Sequence, residues 1–144
     1  MTIDKGFQIS KESALHHVET LLQKDQASMN LGIQIIDAEL GRCDLGLTIT
    51  SEMVQGHAIC HGGYLFMLAD TALAFAANTY GEPCVVSRAD IEFLKPAKLG
   101  DYLIAKARQL HKHKRKALYD VTIFNQKEEV VALYRGNSHQ LTKT

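Results

Sequence analysis

Residues 62–81 read GGYLFMLADTALAFAANTYG, a run bracketed by glycines, filled with Ala, Leu, Phe and Met, and carrying one formal charge, Asp70. Its length and all-round apolarity predict a helix buried on nearly every side. It is not a membrane span, because Asp70, Asn78 and the glycine ends leave no uninterrupted apolar run of roughly 18 residues. An aspartate in such a helix has few uninteresting uses. A carboxylate kept from water must be hydrogen-bonded, paired or chemically active, since an isolated buried charge is too costly for a small domain.

Outward from this helix the chain reads as a helix and a hairpin before it and a series of strands after it. Ser10 is placed to cap a first helix whose Ala14, Leu15, Val18, Leu21 and Leu22 make one apolar stripe, so this helix is amphipathic and peripheral. Ile33 to Leu40 and Cys43 to Thr50 favour alternating or β-branched residues around Gly41 and Arg42, the pattern of a hairpin. Strands are expected at Val85 to Phe93, Tyr102 to Leu110, Ala117 to Phe124 and Val130 to Gln140. KPAKLGD (95–101), HKHKRK (111–116) and QKEE (126–129) separate them as turns. One long apolar helix with about six strands in short antiparallel connections predicts an α+β fold whose sheet wraps the helix. A sheet of that kind has a free edge, which pairing of two copies protects, so a homodimer is expected.

Composition narrows the function. The 144 residues form one ordinary domain, able to bury roughly two thirds of the unfolded surface. Sixteen basic against sixteen acidic residues argue against nonspecific binding to nucleic acid or an anionic membrane, and favour a small-molecule partner. MTIDKGFQIS lacks the apolar core of a signal peptide, and three unevenly spaced cysteines, Cys43, Cys60 and Cys84, do not form a disulfide framework. A reducing, cytoplasmic setting is the expectation.

The chemistry centres on His61, Gly62, Gly63 and the helix they open. The first turn of a helix offers N–H groups without intrahelical partners at the positive end of the macrodipole, so it can hold an oxygen that becomes negative. A carbonyl resting on the Gly62 N–H, such as that of a thioester, is stabilised there as an oxyanion when attacked. Asp70 then supplies the attack, as nucleophile or as the base that activates water. Helix geometry adds a constraint: eight residues at about 1.5 Å each put Gly62 and Asp70 roughly 12 Å apart along the axis. Both can serve one carbonyl only if Asp70 of one subunit faces Gly62 of another across a two-fold interface, giving two composite sites per dimer.

HGGYLFMLADTALAFAAN (61–78), IEFLKPAKLGD (91–101), YDVTIFNQ (119–126) and VALYRGNSHQ (131–140) together resemble the hotdog-fold acyl-CoA thioesterases, most closely the PaaI-like type of phenylacetate degradation. The specific features are HGG with an aspartate eight residues after its first glycine and FLKP at the next strand end. The resemblance covers about Leu31 to Leu141, and implies a hotdog domain at 31–144 behind an N-terminal helical segment at 1–30. It further implies dimers whose sheets join, often tetramers, with Asp70 as the carboxylate and Gly62 as the oxyanion donor. Many relatives place Asn six residues before the HGG histidine, where this chain has Gln55, one methylene longer. In some relatives a serine or threonine of the strand after the helix assists, and Ser87 lies in that region.

Each of these residues also has a plainer reading. Asp70 can cap or bridge at an interface, His61 can orient the loop into the helix or transfer a proton, and the glycines can simply make a tight turn. His57, Cys60 and His61 lack a fourth ligand at a recognisable spacing, so no metal site is expected, and adjacent Cys60 and His61 diverge too much for a nucleophilic pair. Lys114, Arg115 and Lys116 of the basic run, together with Arg88 and Lys95, are candidates for the phosphates of coenzyme A, which is part of the substrate and not a cofactor. Tyr64, Leu65, Phe66 and Met67 offer an apolar lining for an aromatic or medium acyl group. The reading is an acyl-CoA thioesterase; the alternatives are a hotdog hydratase or dehydratase, which needs a His–acid pair, and a non-catalytic acyl-CoA-binding protein.

Overall fold

The structure, a computed structural model, describes residues 5–142; residues 1–4 of the MTIDKGFQIS stretch and residues 143–144 lie outside the described residues. Two N-terminal helices, α1 (Lys5–Lys24) and α2 (Gln26–Leu31), precede strands β1 (Gln34–Glu39) and β2 (Arg42–Thr48). Helix α3 (Gly62–Asn78) follows, then β3 (Cys84–Phe93), β4 (Tyr102–His113), β5 (Lys116–Phe124) and β6 (Val130–Gln140). The strands form one six-stranded sheet in the order β1-β2-β4-β5-β6-β3, antiparallel throughout. This is the hotdog arrangement, with α3 held in the curve of the sheet.

Alternation writes the inner face directly. Leu103, Ala105 and Ala107 of β4, Tyr119, Val121 and Ile123 of β5, and Tyr134 of β6 point inward and are at most 2 % exposed. They meet Leu68, Ala69, Ala72, Leu73 and Ala76 of α3, all 0 % exposed. Alanines on that face let helix and sheet approach closely. Gly136 of β6 takes this to its limit: a Cβ there would lie 2.8 Å from the Arg88 carbonyl oxygen and 2.9 Å from Leu73 Cδ1. We therefore expect Gly136→Ala to cost about 1–3 kcal/mol in urea unfolding, because a backbone atom of β3 must move. A loss under about 0.5 kcal/mol, within the scatter of ordinary surface changes, would contradict this close approach.

The helix is not closed on every side, which corrects the expectation from its apolarity. Gly63, Phe66, Met67, Asp70, Ala74 and Asn78 are half-buried or exposed, and they recur at the three-to-four spacing of a single face. That open face looks toward edge strand β3. The opposite edge, β1, is covered by α1, whose Lys11 Nζ reaches Asp37 at 2.7 Å and Glu39 at 3.3 Å. The β3 edge instead leaves Val85 45 % and Phe93 53 % exposed.

Local corrections have local causes. Ser10 is not a helix cap: α1 begins before it, and the Ser10 hydroxyl donates back to the Gly6 carbonyl at 2.7 Å. HKHKRK is not all turn, since β4 continues to His113 and β5 begins at Lys116, leaving Lys114 in the left-handed region at φ 56°. Helix α2 and a 3-10 turn at Ser51–Met53 were not foreseen. Asn78 ties the end of α3 to the start of β3, donating to the Cys84 carbonyl at 3.0 Å and accepting from its N–H at 2.9 Å. Among the described residues, no helix is long and apolar enough to cross a membrane.

Candidate active site

The approach to α3 is held rigidly. Isolated bridges pair Val54 with Cys60 and Ile59 with Lys98, and the Cys60 N–H donates to the Ala97 carbonyl at 2.7 Å. His61 takes the N-cap position with φ −60° and ψ 137°, and its side chain makes no capping bond. Its ring is exposed while its N–H donates to the Met53 carbonyl at 2.9 Å. Gly62 and Gly63 thus begin the helix with N–H groups that have no carbonyl one turn earlier to bond.

The two glycines differ. A Cβ on Gly62 would come within 2.7 Å of Phe93 Cζ, whereas one on Gly63 would meet nothing within 4 Å. The Phe93 ring therefore lies over the helix tip only because residue 62 has no side chain. Around it Ile59, Cys60, Leu65, Leu94, Lys95 and Pro96 line a mainly apolar cleft.

Asp70 opens into a different cleft, between α3 and the edge strand, shared with Phe66, Ala74, Ser87 and Arg88. Its Oδ1 accepts a 2.7 Å hydrogen bond from the Tyr134 hydroxyl. Tyr134 is 2 % exposed, and its ring meets Phe66 edge-on with centroids 5.4 Å apart. Burial, followed by the bond to Asp70, holds the Tyr134 hydroxyl well above the ordinary phenol range, so it remains a proton donor. Sequence reading missed this residue. The available signal was a tyrosine in the inward register of VALYRG, since a buried phenol hydroxyl needs a partner.

Of the other residues singled out, Ser87 comes to the Asp70 cleft and Gln55 does not join it. Ser87 sits in a bulge where the β3–β6 register shifts between Val86 and Arg88, and its hydroxyl donates to the Asn137 carbonyl at 3.3 Å. Bulges re-aim side chains beside functional sites. Gln55 Oε1 accepts from the His57 N–H at 2.9 Å, which commits its carbonyl oxygen to the loop before the helix. Lys95 pairs with Glu129 and holds that carboxyl below its ordinary value. Lys114, Arg115 and Lys116 lie where β5 starts beside His139, and His139 pairs with Val85 at the beginning of β3. Gly62 packs on Phe93, at the far end of that strand. The three cysteines are free; burial pushes the Cys60 thiol up to about 11. Among the described residues no group of three or more His, Cys, Asp or Glu is placed to hold a metal ion.

A helix wrapped by a single antiparallel sheet, with a glycine-lined helix tip and a carboxylate further along the same helix, defines a hotdog-fold thioester hydrolase. The chain belongs to the thioesterase superfamily, whose family pattern matches residues 57–132. Within it, the chain is 41 % identical over 131 residues to the acyl-coenzyme A thioesterase PaaI of Escherichia coli (strain K12), covering 91 % of this chain and 94 % of that protein. The structure of E. coli PaaI, from the phenylacetic acid degradation operon, superposes with a TM-score of 0.91 at 40 % identity, over 94 % of this chain and 98 % of that one. A Streptococcus mutans UA159 protein bound to acetyl CoA matches with a TM-score of 0.74 at 26 % identity, over 77 % of this chain and 90 % of that one.

Proposed function

We propose that this chain hydrolyses an acyl-CoA to the free acid and coenzyme A, at a site built from Asp70 of one subunit and the α3 tip of its partner. The observation that carries the reading is the separation of the two groups: Asp70 and Gly62 open into different clefts along one helix. The E. coli relative is an acyl-coenzyme A thioesterase, and the S. mutans relative binds acetyl CoA; both support this substrate class. Pairing two copies antiparallel through the exposed β3 edge brings the Phe93 end of one β3 beside the Cys84 end of the other. The Gly62 tip of one subunit then approaches the Asp70 cleft of its twin. The homodimer is the minimum unit, and further pairing gives a homotetramer.

In this site the thioester carbonyl oxygen rests on the Gly62 N–H, and His61 orients the loop that presents it. Asp70 either attacks the carbonyl carbon, forming a mixed anhydride that water then hydrolyses, or takes the proton of an attacking water. In both routes the C–S bond breaks and coenzyme A leaves as the thiolate, which takes up the proton released from the water. Ser87 helps to place the water or the carbonyl, and Gln55, whose Oε1 is bonded to the loop, offers its amide N–H₂. Carboxylate, water and helix N–H suffice for hydrolysis, so no metal or redox cofactor enters the proposal. The half-buried Phe66 lines the Asp70 cleft, which suits an aromatic or medium acyl group. A thiol-release screen over aromatic, short and medium acyl-CoAs tests the reading, and the absence of turnover throughout the panel would reject it.

The same pairing sets the Lys114–Lys116 turn of one subunit beside the Gly62 tip of the other, which makes it the favoured contact for the coenzyme A phosphates, ahead of Arg88 and the ion-paired Lys95. Joint replacement of Lys114, Arg115 and Lys116 by Ala is expected to raise KM for an acyl-CoA by about tenfold, with kcat retained, in line with a few exposed charge pairs. The effect shrinks as salt is added. An unchanged KM at low salt would move the phosphates elsewhere.

A further inference from the structure

We propose that Tyr134 is the positioning residue of Asp70, fixing one carboxylate oxygen so that the other is the atom that acts. The inference rests on Asp70 being the acting carboxylate. It is carried by how firmly the tyrosine is held. Tyr134 lies on β6 between Ile91 of β3 and Val121 of β5, both in the inward register. Its ring is pinned edge-on by Phe66 at 71°, and Gly136, two residues along the same face, leaves it room: a Cβ there would stand 3.2 Å from Tyr134 Cε1. The hydroxyl of a ring so packed is fixed in place, and it donates to Asp70 Oδ1 at 2.7 Å.

An aspartate on a half-open helix face otherwise rotates about its last bond and is hydrated on both oxygens. Holding Oδ1 removes that freedom and leaves Oδ2 as the oxygen Tyr134 does not engage. Correct placement of a reacting group carries a large share of catalytic rate, and an error of about 1 Å can cost on the order of 100-fold. The plainer alternative is that Asp70 exists only to satisfy a buried tyrosine. The two differ in what the loss of one hydroxyl does to turnover.

Tyr134→Phe keeps the ring and its packing. It is expected to lower kcat roughly tenfold or more, the cost of a hydrogen bond to a charged group, while KM stays within about twofold. Introduced into Asp70→Ala, where no carboxylate remains to be positioned, it should cause no further fall in the residual single-turnover rate. Site-specific 3-fluorotyrosine at position 134 retains the donor and should retain most of kcat, separating the hydroxyl from any packing defect. Tyr119→Phe is the internal control, because Tyr119 is equally buried at 1 % exposure but donates to Gln109 at 3.1 Å, away from the cleft. An unchanged kcat in Tyr134→Phe, or an equal fall with and without Asp70, overturns the proposal. Wild-type turnover in Asp70→Ala alone would instead overturn the catalytic reading beneath it.

Discussion

Asp70→Asn is expected to lower kcat/KM for an acyl-CoA by about 10³-fold, the usual contribution of a positioned acid–base or nucleophilic group. The substitution is close to isosteric, and the amide oxygen can still accept from the Tyr134 hydroxyl, so the folded state should survive with little change in Tm. That combination separates the two readings of this residue. A structural carboxylate, whose hydrogen bond the amide preserves, would leave both stability and rate; an acting one costs the rate and leaves the stability. Steady-state assays beside thermal unfolding decide it, and full activity in Asp70→Asn would remove Asp70 from the chemistry. Single turnover in ¹⁸O-labelled water refines the role, since label enters Asp70 only if an anhydride forms and water attacks its enzyme carbonyl.

At the N-terminal tip of the helix, Gly62→Pro is expected to lower kcat by about 100-fold or more, because in the proposed site it deletes one oxyanion donor. The backbone is already suited to it. Gly62 is the first helical residue, where proline is favoured, and His61 at φ −60° and ψ 137° has the extended conformation required before proline. Gly62→Ala is the matching control: its Cβ meets the Phe93 ring in the same way, at 2.7 Å, but its N–H remains. The half-exposed ring can swing aside in both variants. The difference between Pro and Ala therefore reports the loss of the N–H together with the ring methylene that replaces it, and equal rates in the two would show that this donor holds no developing charge.

The fold was legible where one residue pattern is tied to one face. Alternation in β5 and β6 announces Tyr119, Val121, Ile123 and Tyr134 as inward positions, and the apolar density of α3 announces a central helix. What pattern could not supply was pairing. Nothing local in VALYRG says that Tyr134 lands opposite Ile91 and Val121 and so reaches Asp70 on α3; this depends on register across three strands. The bulge at Ser87 is equally invisible, because it records how β3 fits β6 and not what residue 87 prefers. Asn78 looked like a polar interruption of the helix and is a clip between α3 and Cys84. Ser10 failed as a cap because cap preference is local and weak, and the helix continues on the N-terminal side of it. The open stripe of α3 was concealed by its own composition: Phe66, Met67 and Ala74 are as apolar as the buried face.

The composite site proposed here rests on a different kind of argument, the helix rise alone. Its most direct test is complementation between inactive subunits. Asp70→Asn and Gly62→Pro chains, denatured together in equal amounts and refolded, form heterodimers in which one site has both groups intact and the other has neither. Statistical pairing should restore about a quarter of the wild-type activity from two nearly inactive parents. Activity in the mixture no greater than the average of the two parents, with heterodimers demonstrably formed, would place Asp70 and Gly62 in separate roles and contradict the shared site.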